Sequence, residues 1–414
     1  MQANRKNMER MAEVVPESDE QSMQHFITNS PWDHRAVIHQ VASDCDRLLG
    51  GHSDSALLID ESAIPKKGRK SVGVARQWCG RLGKTDNCQV GVYASLSYGK
   101  RVSLIDGRLY LPKEWTDDRE RCEKAGVPDG VVFQTKAELA LEMVRNARRN
   151  GVRFAWVGAD AGYGKEPDFL CRLDDDQEIF LADVHKNQMI YLEDPAPCIP
   201  QKTSGKGRVP TKPMAQTSPL RVDAWTARQP ATSWERMAFR ESSKGRLEAD
   251  FLVQKVWIWN KRETCGRQWT LLVRREIGSP DTVKYSLTNA AAETSLERLA
   301  FMQGQRFFIE HSFQDAKSNA GLDHYQVRQW RGWHHHMAMV MMAMLFMLET
   351  KLDHEESHPL LSCYDITDLL SHFLPRRDVT EEEILRQMEF RHRQRQASID
   401  SAYRRQRARA NVTK

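Results

Sequence analysis

Residues 306–317, RFFIEHSFQDAK, hold a carboxylate, Glu310, with Arg306 four positions before it and Lys317 seven after. In a helix those offsets put the three on one stripe, with Gln303 and Gln314 beside them. Phe307, Phe308, Ile309 and Phe313 supply an apolar side to bury. An ion-pair ladder on a solvated helix has the same pattern, so the stripe gains chemical meaning only with partners. Two further carboxylates supply them. Asp60 follows the apolar run ALLI and Asp160 follows FAWVGA, each at the end of an expected strand. Either one alone reads most simply as a turn or cap residue. Together, two strand-end aspartates and a helical glutamate make a hard-oxygen donor set suited to Mg²⁺ or Mn²⁺. Two such ions can activate a nucleophile and stabilise the leaving oxygen of a phosphodiester.

The stretch after Asp60 fits an anionic substrate. PKKGRKSVGVARQWCGRLGKT carries Lys66, Lys67, Arg69, Lys70, Arg76, Arg81 and Lys84 and no acid. By itself it reads as a solvated basic loop; against a carboxylate cluster it reads as a contact for a polyanion.

The elements that must position these groups follow from periodicity. Residues 1–53 are polar with helical spacing, and Ser30 or Asp33 in SPWD can cap a helix. Strands are expected at 56–59, 89–98, 102–111, 154–158 and 178–184, with an amphipathic helix at 136–150 closed by Gly151 and a short helix at 167–173. This is an α/β layout, and α/β sheets form sites at strand ends. Residues 185–290 read as a mostly β insertion, with a Pro/Gly/Lys-rich loop at 195–219 followed by four strand-like runs. Residues 291–350 hold the glutamate helix and its successors, and 351–414 form a helical tail rich in arginine.

Composition narrows the class. The chain has 414 residues, enough for several domains, and its 61 Lys plus Arg against 56 Asp plus Glu leave only +5, so placement of the cations matters more than their sum. Eight cysteines without a C-x-x-C pair fit neither a zinc ribbon nor a redox motif and suit a reducing cytoplasm. The first residues lack a signal-peptide apolar core, and the longest apolar run, 337–348, is too short to span a bilayer, so no membrane is expected. Gly83-Lys84-Thr85 imitates a P-loop, but the required earlier glycine is Trp78. Gly162 and Gly164 read as a strand-to-helix turn. His334, His335 and His336 point about 100° apart on a helix and do not grip one ion.

These phrases resemble the DDE insertion-sequence transposases of bacteria. The resemblance runs from about Arg5 to about Met347 through SPWD at 30–33, LLIDESAIPKKG at 57–68, SVGVARQWCGRLGKTDNCQVGV at 71–92, WVGADAGYG at 156–164 and IEHSFQDAKSNAGLDHYQ at 309–326. It implies a ribonuclease H-like catalytic core, with Asp60, Asp160 and Glu310 as catalytic residues holding two Mg²⁺ or Mn²⁺ ions. One subgroup bears Y-x2-R-x3-E-x6-K on the glutamate helix; Arg306, Glu310 and Lys317 fall in register and Gln303 stands at the tyrosine position. The resemblance further implies that Arg306 and Lys317 hold DNA phosphates and that a tryptophan of the insertion, Trp257, Trp259 or Trp269, stacks on a flipped base. The expected partners are double-stranded DNA, as transposon-end inverted repeats and target, and a second protomer in a homodimer on the DNA; the expected location is the bacterial cytoplasm, in association with the nucleoid. A stand-alone ribonuclease H-like nuclease and a domesticated, non-catalytic DNA-binding or regulatory protein are the alternatives.

Overall fold

The structure is a computed structural model that describes residues 5–201, 209–242 and 245–412. Its centre is a ten-stranded mixed sheet. In chain order the strands are β1 (Ala56–Pro65), β2 (Ala75–Cys79), β3 (Lys84–Tyr98), β4 (Arg101–Leu109), β5 (Trp156–Ala159), β6 (Phe180–Val184), the short β7 (Met189–Ile190) and β8 (Leu220–Arg221), then β9 (Glu235–Ser242), β10 (Gly245–Ile258), β11 (Arg267–Glu276) and β12 (Ser279–Thr288). The main sheet runs β2-β3-β1-β5-β6-β12-β11-β10-β9, with β4 also paired to β3; β7 and β8 form a separate pair. β1 lies antiparallel to β3 and parallel to β5, and β5 lies parallel to β6.

β3 is buried without alternation from Cys88 to Ser97, as expected of a strand covered on both faces. On one face Tyr93 meets Phe313 and Trp333, and Ser95 meets Ser312. The other face takes the helix Lys136–Arg149, which a full capping box at Thr135 and Glu138 starts. Gly151, at φ +78, lets the chain turn back into the sheet. The helix Trp330–Asp353 packs its methionines against β4 and against the helix His34–Leu49, whose N-cap is Asp33. There the three adjacent histidines each have their own job. His334 and His336 donate to the carbonyls of Trp330 and Gly321, and His335 stacks on Trp32.

Two expectations need correction. β1 does not end at Asp60 but continues to Pro65, held by β3 along its whole length. The basic stretch after it is not a loop: it contains β2, a 3₁₀ turn at Gly80–Leu82 and the start of β3, a hairpin that extends past Asp60. The four long strands after residue 234 belong to the same central sheet, which they join where β12 pairs with β6.

Candidate active site

β1 and β5 are neighbours in parallel register, Ile59 opposite Ala159, which puts Asp60 and Asp160 side by side. Asp60 is 14% exposed, and its Oδ1 accepts from the Glu61 amide at 2.7 Å. Asp160 caps the helical turn Ala161–Gly164, accepting from the amides of Gly162 and Tyr163 at 2.9 and 3.3 Å. The turn sits hard against β6: a Cβ on Gly164 would stand 1.9 Å from the Asp183 carbonyl oxygen, so only glycine allows that approach. Burial, and then the charge of Asp160, push the Asp60 carboxyl up to about 7. Two adjacent carboxylates in a desolvated corner favour holding a proton or a cation between them.

The glutamate arrives on a broken helix. Leu296–Gln305 and Phe307–Asp315 meet at Arg306, and the chain then widens into a π turn at Ala316–Ala320. Glu310 is 54% exposed. With Asp60, Glu61, Gly80, Arg81, Gln314, Lys317, Asp323 and His324 it lines a cavity of about 770 Å³. Burial lowers the proton affinity of the Lys317 ammonium there.

Arg306 is the hub of the site. Its Nε lies 2.9 Å from Asp183, its Nη2 2.9 Å from Glu310 and its Nη1 3.9 Å from Asp60, with the side chain 14% exposed. The guanidinium therefore faces three carboxylates, correcting the expectation that it faces DNA. The reason is the i,i+4 spacing to Glu310 combined with a third acid at the end of β6 that periodicity does not reveal. Asp183 also accepts from the Ser286 hydroxyl at 2.7 Å, and that hydroxyl accepts from the Gln303 amide at 2.8 Å. Gln303, at the tyrosine position of the expected signature, is thus a buried link to β12. Among the described residues no three acid, imidazole or thiol groups meet closely enough to hold a metal ion; Arg306 supplies the positive charge between Asp60 and Glu310. The donor set itself, all carboxylate oxygen, suits Mg²⁺ or Mn²⁺.

The other expected contacts divide. Lys67, Arg69, Lys70 and Arg76 are exposed. Arg81 pairs with Asp323 at the cavity rim while staying half exposed, and Lys84 pairs with Asp86 at 3.3 Å. Lys66 turns inward, donating to the Tyr325 carbonyl at 2.6 Å and lying over its ring, and burial lowers its ammonium to about 8. Trp269 is 3% exposed and set edge-on against Phe180, so it is core and not a base-stacking surface. Trp257 is half-buried, and Trp259 donates to the Glu263 carbonyl. The row through Asp183, Ser286 and Leu272 reaches β10 at Val253, so Trp257 lies about 13 Å further along, toward the end of the sheet away from Asp60. That location does not fit a base beside the carboxylates. At the site end the insertion instead carries Arg274, stacked on Phe239 and paired with Glu276 at 2.9 Å, and Arg240, stacked on Phe307 at 3.6 Å.

A mixed sheet that sets Asp60 beside Asp160, with a helical glutamate on the same carboxylate-rich cavity as Asp60, is an arrangement suited to phosphodiester chemistry. The chain belongs to the DDE superfamily endonucleases, whose family model matches residues 1–246. The match includes Asp60 and Asp160 and stops before Glu310. Over 189 residues the chain is 30% identical to a probable transposase for insertion sequence element IS701 of Microchaete diplosiphon, covering 45% of this chain and 47% of that protein. It thus spans about half the length of that relative. The crystal structure of the NurA nuclease from Sulfolobus solfataricus aligns over 81% of this chain and 97% of its own, with 11% identity and a TM-score of 0.25, too low for any argument from it. No helix among the described residues is long and apolar enough to cross a membrane.

Proposed function

We propose that the chain is a DNA transposase with a ribonuclease H-like core, in which Asp60, Asp160 and Glu310 carry metal-dependent cleavage at transposon ends and strand transfer into target DNA. The observation that carries the reading is the register of β1 and β5, which sets Asp60 beside Asp160 and opens Asp60 into one cavity with Glu310. The strand order β4-β3-β1-β5-β6, with β3 antiparallel to its neighbours and β1, β5 and β6 parallel, supports the ribonuclease H-like assignment. Bound Mg²⁺ or Mn²⁺, two ions in this reading, would activate the attacking oxygen and neutralise the leaving one.

The chain's own residues do the rest. Asp60 and Asp160 form the fixed half of the donor set, because strand pairing and the Gly164 contact leave them no freedom. Glu310 forms the adjustable half: it is exposed, and Arg306 can release it while staying bound to Asp183. Arg81 and Lys317, both lining the cavity, hold phosphates of double-stranded DNA. Cleavage leaves a 3′-hydroxyl, and its attack on a target phosphodiester forms one P–O bond as another breaks, so no outside energy source is required. A homodimer brings two such sites to two inverted repeats.

The test uses a duplex made from the DNA flanking the gene, incubated with Mg²⁺. Asp60→Asn, Asp160→Asn and Glu310→Gln should each lose about 10³-fold or more in cleavage, since several kcal/mol of charge stabilisation disappear. Their affinity for the duplex should remain that of the unaltered chain. Cleavage surviving in any of the three removes that residue from the donor set.

A further inference from the structure

The chain has eleven tryptophans, and Trp78, at 55% exposure, is the one exposed among them. It stands on β2, where Ala75 and Cys79 are buried and Arg76 and Trp78 project from the opposite face. Cross-strand from Trp78 is Thr85, a small neighbour that leaves the indole uncovered. No aromatic ring contacts Trp78 and no hydrogen bond engages its N–H among the described residues. A β2 strand would hold equally well with threonine or valine there, so packing does not explain an indole.

Its position is continuous with the carboxylate cavity. A Cβ built on Gly80 would lie 4.0 Å from the Trp78 Nε1, and Gly80 and Arg81 themselves line the cavity with Asp60 and Glu310. Around the indole the charge is positive: Arg76 and Lys84 are exposed and Arg81 half exposed, with Asp86 and Asp323 the acids paired nearby.

We propose that Trp78 is a base-stacking site, taking the face of an unpaired DNA base at the mouth of the cavity while Arg76, Arg81 and Lys84 hold the flanking phosphates. The inference rests on the reading of DNA as substrate. A planar apolar face ringed by cations suits a nucleotide, which joins a π face to an anion. A paired base hides its faces within the duplex, so the occupant must be unpaired, by fraying, distortion or extrusion beside the scissile phosphate.

The experiment measures affinity by fluorescence anisotropy, in EDTA so that nothing is cut. The probes are a labelled duplex with an unpaired segment, the same duplex with abasic sites in that segment, and its fully paired form. Trp78→Ala should weaken binding to the unpaired segment by about 5- to 140-fold, the loss of one stacked base. The abasic and fully paired probes should be bound almost as before. Trp78→Phe should retain most of the affinity, and Trp78→Leu, which keeps apolar bulk without a π face, should lose as much as alanine. Thermal melts matching that of the unaltered chain confirm that each variant folds.

An equal loss on all probes, or no loss on the unpaired one, overturns the proposal. So does a change of oligomeric state in Trp78→Ala, which would assign the indole to a second copy of the chain. A chain that binds the unpaired probe through Trp78 but cuts no DNA overturns the transposase reading alone. One that cuts DNA without preferring unpaired bases overturns only the stacking site, and failure to bind any probe overturns both.

Discussion

The carboxylates lie between two regions that look alike in composition and differ in what they expose. On one side the β2–β3 hairpin carries Trp78, Arg76, Arg81 and Lys84, all turned outward. On the other, β9–β12 carry Trp269, Arg240 and Arg274 with the side chains engaged by Phe180, Phe307 and Phe239. The difference is one of position in the sheet. β2 pairs on one side only and has solvent over one face, whereas β11 and β12 lie between other strands, and β9, also an edge strand, is covered by the helix Leu296–Gln305. The same residue types thus stand exposed on one edge and packed under cover elsewhere in the sheet, and aromatic or basic content alone does not tell them apart.

The largest test of that contrast compares two tryptophans by urea denaturation. Trp269→Ala should cost about 3–5 kcal/mol, the price range of a large buried aromatic, and should loosen β6 with Asp183 because Phe180 loses its partner. Trp78→Ala should stay within about 0.5 kcal/mol of the unaltered chain. Similar losses at both positions would erase the distinction.

Next in size is a pH effect at the boundary between the two regions. In the metal-free chain Asp60 binds its proton more tightly folded, near pH 7, than unfolded, near 3.8. Its contribution to stability is therefore greatest below the unfolded value and declines as pH rises to the folded one. Asp60→Asn should remove that decline and gain stability, relative to the unaltered chain, as pH rises from about 4 to about 8. Parallel stability-versus-pH curves for the two proteins in EDTA would refute the electrostatic account of the paired aspartates.

Smaller still is the contrast between cations. Arg274, 8% exposed, stacks on Phe239, so Arg274→Ala should destabilise the fold by about 1–3 kcal/mol. Arg81→Ala should leave stability nearly unchanged and instead flatten the dependence of log DNA affinity on log salt by about 0.9. An unchanged slope would take Arg81 out of the phosphate contacts.

Much of this arrangement was legible in the chain. Asp60, Asp160 and Glu310 stand out because apolar runs and helical spacing point to where a strand or helix delivers a carboxylate. Other parts depend on contacts between distant segments. Asp183 lies near the end of its strand, yet its role comes from Arg306, more than a hundred residues later. Gln303 reads as a helix-surface residue until Ser286 of β12 is seen opposite it. The hairpin was obscured by its own charge: Lys66, Lys67, Arg69 and Lys70 mask the short alternation of β2 that follows. Trp257, Trp259 and Trp269 were plausible stacking residues by type, and only register assigns them to the wrong end of the sheet or to its core.

The pairing of β12 with β6 also constrains how this chain can be cut or recombined. Removing the segment between Val184 and Asn289 would leave β6 with an open backbone edge, a row of unsatisfied amides and carbonyls beside the reactive carboxylates. Such an edge recruits strands from other molecules, so a trimmed version is expected to precipitate or to form edge-to-edge assemblies even where its remaining core is sound. A shortened enzyme would need a replacement strand, or charged and proline residues on β6, to close that edge.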